Sequence, residues 1–298
     1  MPEVMIHDHS SMRVGSLYDE KTGSFQYLVI DTATHSAAII DPVLDFDEKA
    51  GATSRRNADL LIDFVEAQGL NVEWVLDTHP HADHFSAAPY LAEKLGARTA
   101  IGAKVVEVQA LWKDIYCLDD LSADGRQWDH LFCDGESFSI GDLQARVMLS
   151  AGHTPASISY IVGDAAFVHD TLMMPDVGTS RADFPGGDAE ALYMSIRTIL
   201  SLPTSTMTYV GHDYGHDGRV IAGRATVGDQ RRQNIHVHDG IDQAAFVKIR
   251  EARDATLPLP ALMLAALQVN IRGGRLPDPE SCGRSFLKIP LNHFASAR

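Results

Sequence analysis

Thr78-His79-Pro80-His81-Ala82-Asp83-His84 sets three imidazoles and a carboxylate within six residues, 79–84. Upstream, Val72, Trp74 and Leu76 alternate with the two-residue period of a strand. Downstream, Ala88, Leu91, Ala92 and Leu95 recur at helical spacing until Gly96, a helix stop. The chain's own histidine and acid content gives such a cluster by chance with odds below about one in two hundred. Four such groups are costly to bury without partners, so the stretch reads as a metal-binding loop rather than as core. No cysteine pair accompanies it, which excludes a zinc finger. In extended backbone His79 and His81 project to one side, while Asp83 and His84 are offset. The cluster can therefore face two neighbouring positions, and further ligands must come from elsewhere.

Working outward, Tyr27–Ile30 and Ala37–Ile40 read as consecutive strands, the second ending on Asp41-Pro42. From Asn57 to Gln68, Leu60, Leu61, Phe64 and Val65 predict a helix closed by Gly69. This βαβ order implies a layered α/β architecture. Further along, Ser137–Ile140 and Leu143–Leu149 predict a hairpin about Gly141-Asp142, and Ser157–Val162 with Ala165–Val168 another about Gly163-Asp164. Asp188 is the expected N-cap of a helix running to Leu200, and Met207–Val210 is the last strand. Beyond Gly211 the chain turns charged and mostly helical, then proline-rich. Three more metal-type groups stand just after β segments: His153 in Gly152-His153-Thr154-Pro155, the pair His169-Asp170, and His212 in Gly211-His212-Asp213-Tyr214. Rigid strands can aim such loop residues at one site.

With 298 residues, 45% hydrophobic and 22% charged, the composition is that of a globular chain. A net charge of −15 argues against a nucleic-acid footprint but not against a small anionic substrate. Cys117, Cys133 and Cys282 form neither a disulfide framework nor a metal pair and read as reduced thiols. No basic segment followed by an apolar one opens the sequence, and no apolar run reaches the ~18 residues of a membrane span. Leu257–Val269 is interrupted by two prolines and a glutamine. These features predict a soluble, cytoplasmic protein without membrane or nucleic-acid partners.

Asp41 after a strand, HPHADH at 79–84, His153, Asp170 and His212 resemble, in order and spacing, the metallo-β-lactamase superfamily over roughly residues 12–235. The resemblance implies a four-layer αββα sandwich with its metal site along one edge of two sheets. Residues 236–298 are then a helical and irregular extension packed on the same domain. Two branches lie close. Glyoxalase II-like thioester hydrolases hold two metals and carry THxHxDHxGG, whereas here Phe85-Ser86-Ala87-Ala88 replaces the double glycine. Persulfide dioxygenases bind one iron. Gly178-Thr179-Ser180-Arg181-Ala182-Asp183-Phe184 is similar to their GCGRTDF segment and 211–214 to their GHDY. Residues 226–234 and 287–292 match their bacterial subgroup with a longer C-terminal region. The gap from Asp170 to Arg181 is two residues longer than in the mitochondrial members.

The resemblance thus implies an iron-dependent persulfide dioxygenase that turns glutathione persulfide, O2 and water into sulfite and glutathione. His79, His153 and Asp170 would hold one Fe(2+) per chain, a two-histidine, one-carboxylate set that leaves open positions for substrate and O2. His81, Asp83, His84 and His212 would orient those ligands through hydrogen bonds. The alternative is that they hold a second metal, as in the hydrolases. Glutathione brings two carboxylates, so Arg181, Tyr214 and then Arg231 or Arg232 are the expected substrate contacts. Met173 and Met174 read as core filling. A non-catalytic metal-bound sensor module is disfavoured because every motif position is intact. A homodimer is compatible with the sequence, which specifies no interface.

Overall fold

The computed structural model of the chain describes residues 3–294. It opens with β1 (Met5–Asp8), β2 (Met12–Asp19), β3 (Ser24–Asp31), β4 (Ser36–Ile40), β5 (Val43–Asp47) and β6 (Ala52–Ser54). There follow α1 (Arg56–Gln68), β7 (Asn71–Leu76), β8 (Phe85–Ser86), α2 (Ala88–Leu95), β9 (Arg98–Gly102), α3 (Val105–Tyr116) and β10 (His130–Phe132). The second half holds β11 (Ser137–Ile140), β12 (Leu143–Leu149), β13 (Ile158–Val162), β14 (Ala165–His169), α4 (Ala189–Ile199), β15 (Met207–Val210) and β16 (Arg224–Thr226). Three helices close it: α5 (Val227–Gln233), α6 (Gln243–Asp254) and α7 (Met263–Asn270).

Strand order in the first large sheet is β1-β2-β3-β4-β7-β9-β10, parallel from β4 onward. The second runs β11-β12-β13-β14-β15-β16, a meander until the parallel β14–β15 pair. Alternation along the strands sorts side chains into layers. Val29, Ile40, Trp74 and Leu76 face Val147, Tyr160, Phe167 and Tyr209 of the other sheet and form the central core. Their neighbours Leu28, Ile30, Ile39 and Val75 turn outward onto Leu61 and Val65 of α1 and Leu91 of α2. On the far side Ala166 and Val168 pack against Leu192 and Ile196 of α4 and Phe246 of α6. The chain is therefore the four-layer αββα sandwich.

Local signals account for many boundaries. Gly69 and Gly96 end α1 and α2 in the left-handed conformation that glycine adopts without strain. Asp188 caps α4, its carboxylate accepting from Ala191 N at 2.9 Å. The hairpin about 141–142 pairs Ile140 with Leu143. One helix, α3, has no counterpart in the sequence reading, although Val105, Val108, Trp112 and Tyr116 recur three to four residues apart and are buried. It packs on Met263 and Leu267 of α7. Cys117, Cys133 and Cys282 are exposed and unbridged. Among the described residues no helix is long and apolar enough to cross a membrane.

Candidate metal centre

Parallel strands bring their C-terminal ends to one rim, and the chemistry-bearing residues follow those ends. Asp41 succeeds β4, His79–His84 succeed β7, Asp170 succeeds β14 and His212 succeeds β15. His153 lies in the turn between β12 and β13. Backbone bonds stitch the sheets together at this rim: Phe25 N donates to Gly211 O at 2.8 Å and Ile158 N to Thr78 O at 3.1 Å. Close packing also requires glycine here. At Gly152, before His153, φ is +138° and a Cβ would stand 2.2 Å from the Cα of Leu192.

Nε2 of His79 and Nε2 of His153 each lie 3.8 Å from the same oxygen, Oδ2 of Asp170. That is too long for a hydrogen bond. All three side chains are buried, and His79 Nε2 has no hydrogen-bond partner. Buried polar atoms are seldom left so. Three converging donors within 4.8 Å of one another suit a cation between them.

The surrounding bonds fix which ring nitrogens face inward. His153 Nδ1 lies 2.8 Å from the Arg181 carbonyl, an acceptor only, so Nδ1 carries the proton and Nε2 keeps its lone pair. Thr78 Oγ1 donates to Asp41 Oδ2 at 2.9 Å and so accepts from His79 Nδ1 at 3.0 Å. His79 Nε2 is then also a lone-pair donor toward Asp170. Outer bonds of this kind orient metal-binding histidines.

Asp41 is the hub behind the loop. It accepts from Thr78 N at 2.7 Å and from His81 Nε2 at 2.9 Å, and His169 Nε2 lies 3.0 Å away. Burial alone would raise its pKa, but His169 and His81 hold it well below the usual carboxylate range. Asp77, beneath it, is pushed up to about 7 by burial and by the charge of Asp41. His81 gives its Nε2 proton to Asp41, its buried Nδ1 has no hydrogen-bond partner, and the residue also groups with Asp83 and His84.

A second group adjoins the first. His212 Nε2 lies 3.4 Å from Asp170 Oδ1 and 3.5 Å from Asp83 Oδ2. His84 Nδ1 lies 2.7 Å from Asp83 Oδ2. Burial lowers the His212 pKa, but Asp170 and Asp83 more than offset it and raise it to about 10. The buried Asp170 and the partly exposed Asp83 here attract positive charge, whether proton or metal.

A cavity of about 560 Å³ opens over Asp170, His153 and His212, walled by Met173, Phe184 and Tyr214 among others. Arg181 lines it, yet its guanidinium already grips Asp183 at 2.6 and 2.8 Å and the Pro258 carbonyl at 2.6 Å. Tyr214 is exposed, its ring stacked 6.0 Å from that of His212. Arg231 is not brought to the cavity: it pairs with Asp239 at 2.9 Å, as Arg232 does with Asp229 at 2.6 Å. Met174 packs in the core beneath α4, while Met173 lines the cavity.

Asn270 carries no role in the sequence reading, and His169 stands there only as one of the candidate pair His169-Asp170. His169 sits at a φ of +36° between Asp41 and Asp170, its Nδ1 3.3 Å from Asp170 Oδ1. Asn270, at the end of α7, donates from Nδ2 to the carbonyls of His81 and His84, each at 2.7 Å. Its Oδ1 accepts from Ser86 N at 2.8 Å. An amide ending so apolar a helix is the one local signal of that role.

Residues 21–212 match the family described as the metallo-beta-lactamase superfamily. The Beta-lactamase hydrolase-like protein of Xylella fastidiosa (strain 9a5c) is 59% identical over 96% of this chain. The chain spans 66% of that relative's length. Glyoxylase B2 of Dictyostelium discoideum is 47% identical over 90% of this chain and 93% of its own. The mitochondrial Persulfide dioxygenase ETHE1 of Bos taurus is 29% identical over 88% and 89%. Among solved structures, ETHE1 from Myxococcus xanthus superposes with a TM-score of 0.70 at 29% identity, covering 91% of this chain and all of its own.

Proposed function

The chain belongs to the metallo-β-lactamase superfamily, and from that premise we propose that it is an iron-dependent persulfide dioxygenase. The proposed reaction converts glutathione persulfide, O2 and water into glutathione and sulfite, with release of two protons. The observation that carries this reading is the convergence of His79 Nε2 and His153 Nε2 on Asp170 Oδ2, each at 3.8 Å. This is a two-histidine, one-carboxylate group whose ring orientations are set by Thr78 and Arg181. Likeness to the ETHE1 relatives over most of both chains supports the same reading.

Fe(II) held by those three residues would supply adjacent open positions at which a soft persulfide sulfur and O2 meet. The protein's own contribution is orientation and exclusion of water. Arg181 O and Thr78 Oγ1 fix the two imidazoles. Phe184, packed 5.4 Å from the His153 ring, and Met173 give the cavity an apolar wall beside the sulfur's place. His81, Asp83, His84 and His212 act in this reading through hydrogen bonds and charge, and Tyr214 bounds the substrate's path.

A second reading rests on the adjacent Asp83–Asp170–His212 group and on the closer identity to Glyoxylase B2: a two-metal thioester hydrolase. The deciding experiment loads the protein with Fe(II) without oxygen, counts metal per chain, and records O2 uptake and sulfite with glutathione persulfide. S-lactoylglutathione hydrolysis is measured beside it. One iron and stoichiometric sulfite support the dioxygenase. Two metals with thioester turnover and no O2 uptake overturn it.

A further inference from the structure

We infer that Arg253 and the Ser180 hydroxyl form an anion seat in the wall of the cavity that overlies the metal cluster, and that it holds a carboxylate of the thiol carrier. The inference rests on the reading of the cluster as a site for a carboxylate-bearing thiol derivative. Three arginines line this cavity, and two are already neutralised. Arg181 is bound to Asp183. Arg250, buried on α6, bonds Asp254 at 2.7 Å and the Thr179 carbonyl at 3.0 Å. Arg253 is exposed, and among the described residues no acceptor meets its guanidinium. It is the open cation of the wall.

Ser180 gives the second, independent observation. It is only 4% exposed, lines the same cavity, and its Oγ has no partner. A buried hydroxyl without a partner costs free energy that a ligand oxygen would recover. His236 borders the same wall and brings no competing charge. Burial and the neighbouring Arg250 and Arg253 push its pKa down to about 4. A cation and a neutral hydroxyl donor together suit a carboxylate. Glutathione carries two such groups.

The test uses metal-loaded protein and S-methylglutathione, a thioether that cannot turn over, with affinity read by titration calorimetry. Arg253→Ala weakens binding about tenfold, the size of a partly solvated charged hydrogen bond. Arg253→Lys recovers part of the loss, and Ser180→Ala weakens binding severalfold. The diethyl ester of the same probe binds wild type and Arg253→Ala equally. Exposure of Arg253 keeps its variants folded, as thermal midpoints check. Wild-type affinity in Arg253→Ala, or no binding to wild type, overturns the seat. If the affinities move as stated while O2 uptake is absent, the seat stands and the dioxygenase reading falls.

Discussion

Nε2 of His81 lies 2.9 Å from Oδ1 of Asp41, and neither side chain is exposed. The Nε2 held this way orients the loop, and under the single-ion reading the free Nδ1 of His81 binds no metal. His81→Ala should therefore retain about one iron per chain and lose activity by roughly tenfold to a hundredfold. Alanine at His79, His153 or Asp170 should remove both iron and activity. Elemental analysis and sulfite production on the same purified variants decide it. Loss of one of two metal equivalents in His81→Ala or His212→Ala would sink the single-ion centre.

Asn270 holds the same loop from the other side. Its amide meets two carbonyls and one N–H of the segment 81–86. Asn270→Ala leaves three buried backbone groups unpaired and should cost about 3 kcal/mol in denaturant unfolding. Asn270→Asp keeps the bond to Ser86 but turns an acceptor toward two carbonyls, so it should be no more stable. Equal stability of all three proteins would show that the loop holds itself.

These two relationships mark what the sequence reveals and what it conceals. The histidine cluster is legible because its groups crowd into six residues at a strand end. Helix ends at Gly69, Gly96 and Asp188 are legible because each stop or cap is a local property of backbone and side chain. Asn270 bonds to residues 186 and 189 positions away, a pairing that leaves no local pattern. The engagement of Arg181 by Asp183 is invisible for another reason: a motif names the arginine but not how its charge is answered. Arg253, on the exposed part of α6, reads as ordinary solvated charge until the cavity wall is assembled.

The pH dependence of stability should carry a mark from His236. Burial first, then Arg250 and Arg253, lowers its pKa from 6.5 to about 4. Below pH 6.5 the unfolded chain takes up a proton that the folded one refuses until near pH 4. Stability from this group is therefore full above pH 6.5 and falls by at most about 3 kcal/mol as the pH drops to 4. His236→Asn, which can still accept from Thr179 N, should show a shallower decline across that window. Parallel stability curves for the two proteins would remove His236 as the source.

Gly211 offers a probe of the cluster that substitutes none of the proposed ligands. A Cβ there would stand 2.3 Å from Asp170 Oδ1 and 2.5 Å from His169 Nδ1. Neither neighbour has room to retreat, since His169 is already wedged between Asp41 and Asp170. Gly211→Ala should thus turn the Asp170 carboxylate away from His79 and His153. Overpacking of this kind costs about 1–3 kcal/mol, which the sandwich core can absorb. The expected outcome is a protein that folds with a slightly lower thermal midpoint yet releases iron to a chelator at least about tenfold more readily, the size of loss seen when a ligand's support is disturbed. Iron retention equal to wild type, with the same sulfite yield, would mean that Asp170 is not a metal ligand.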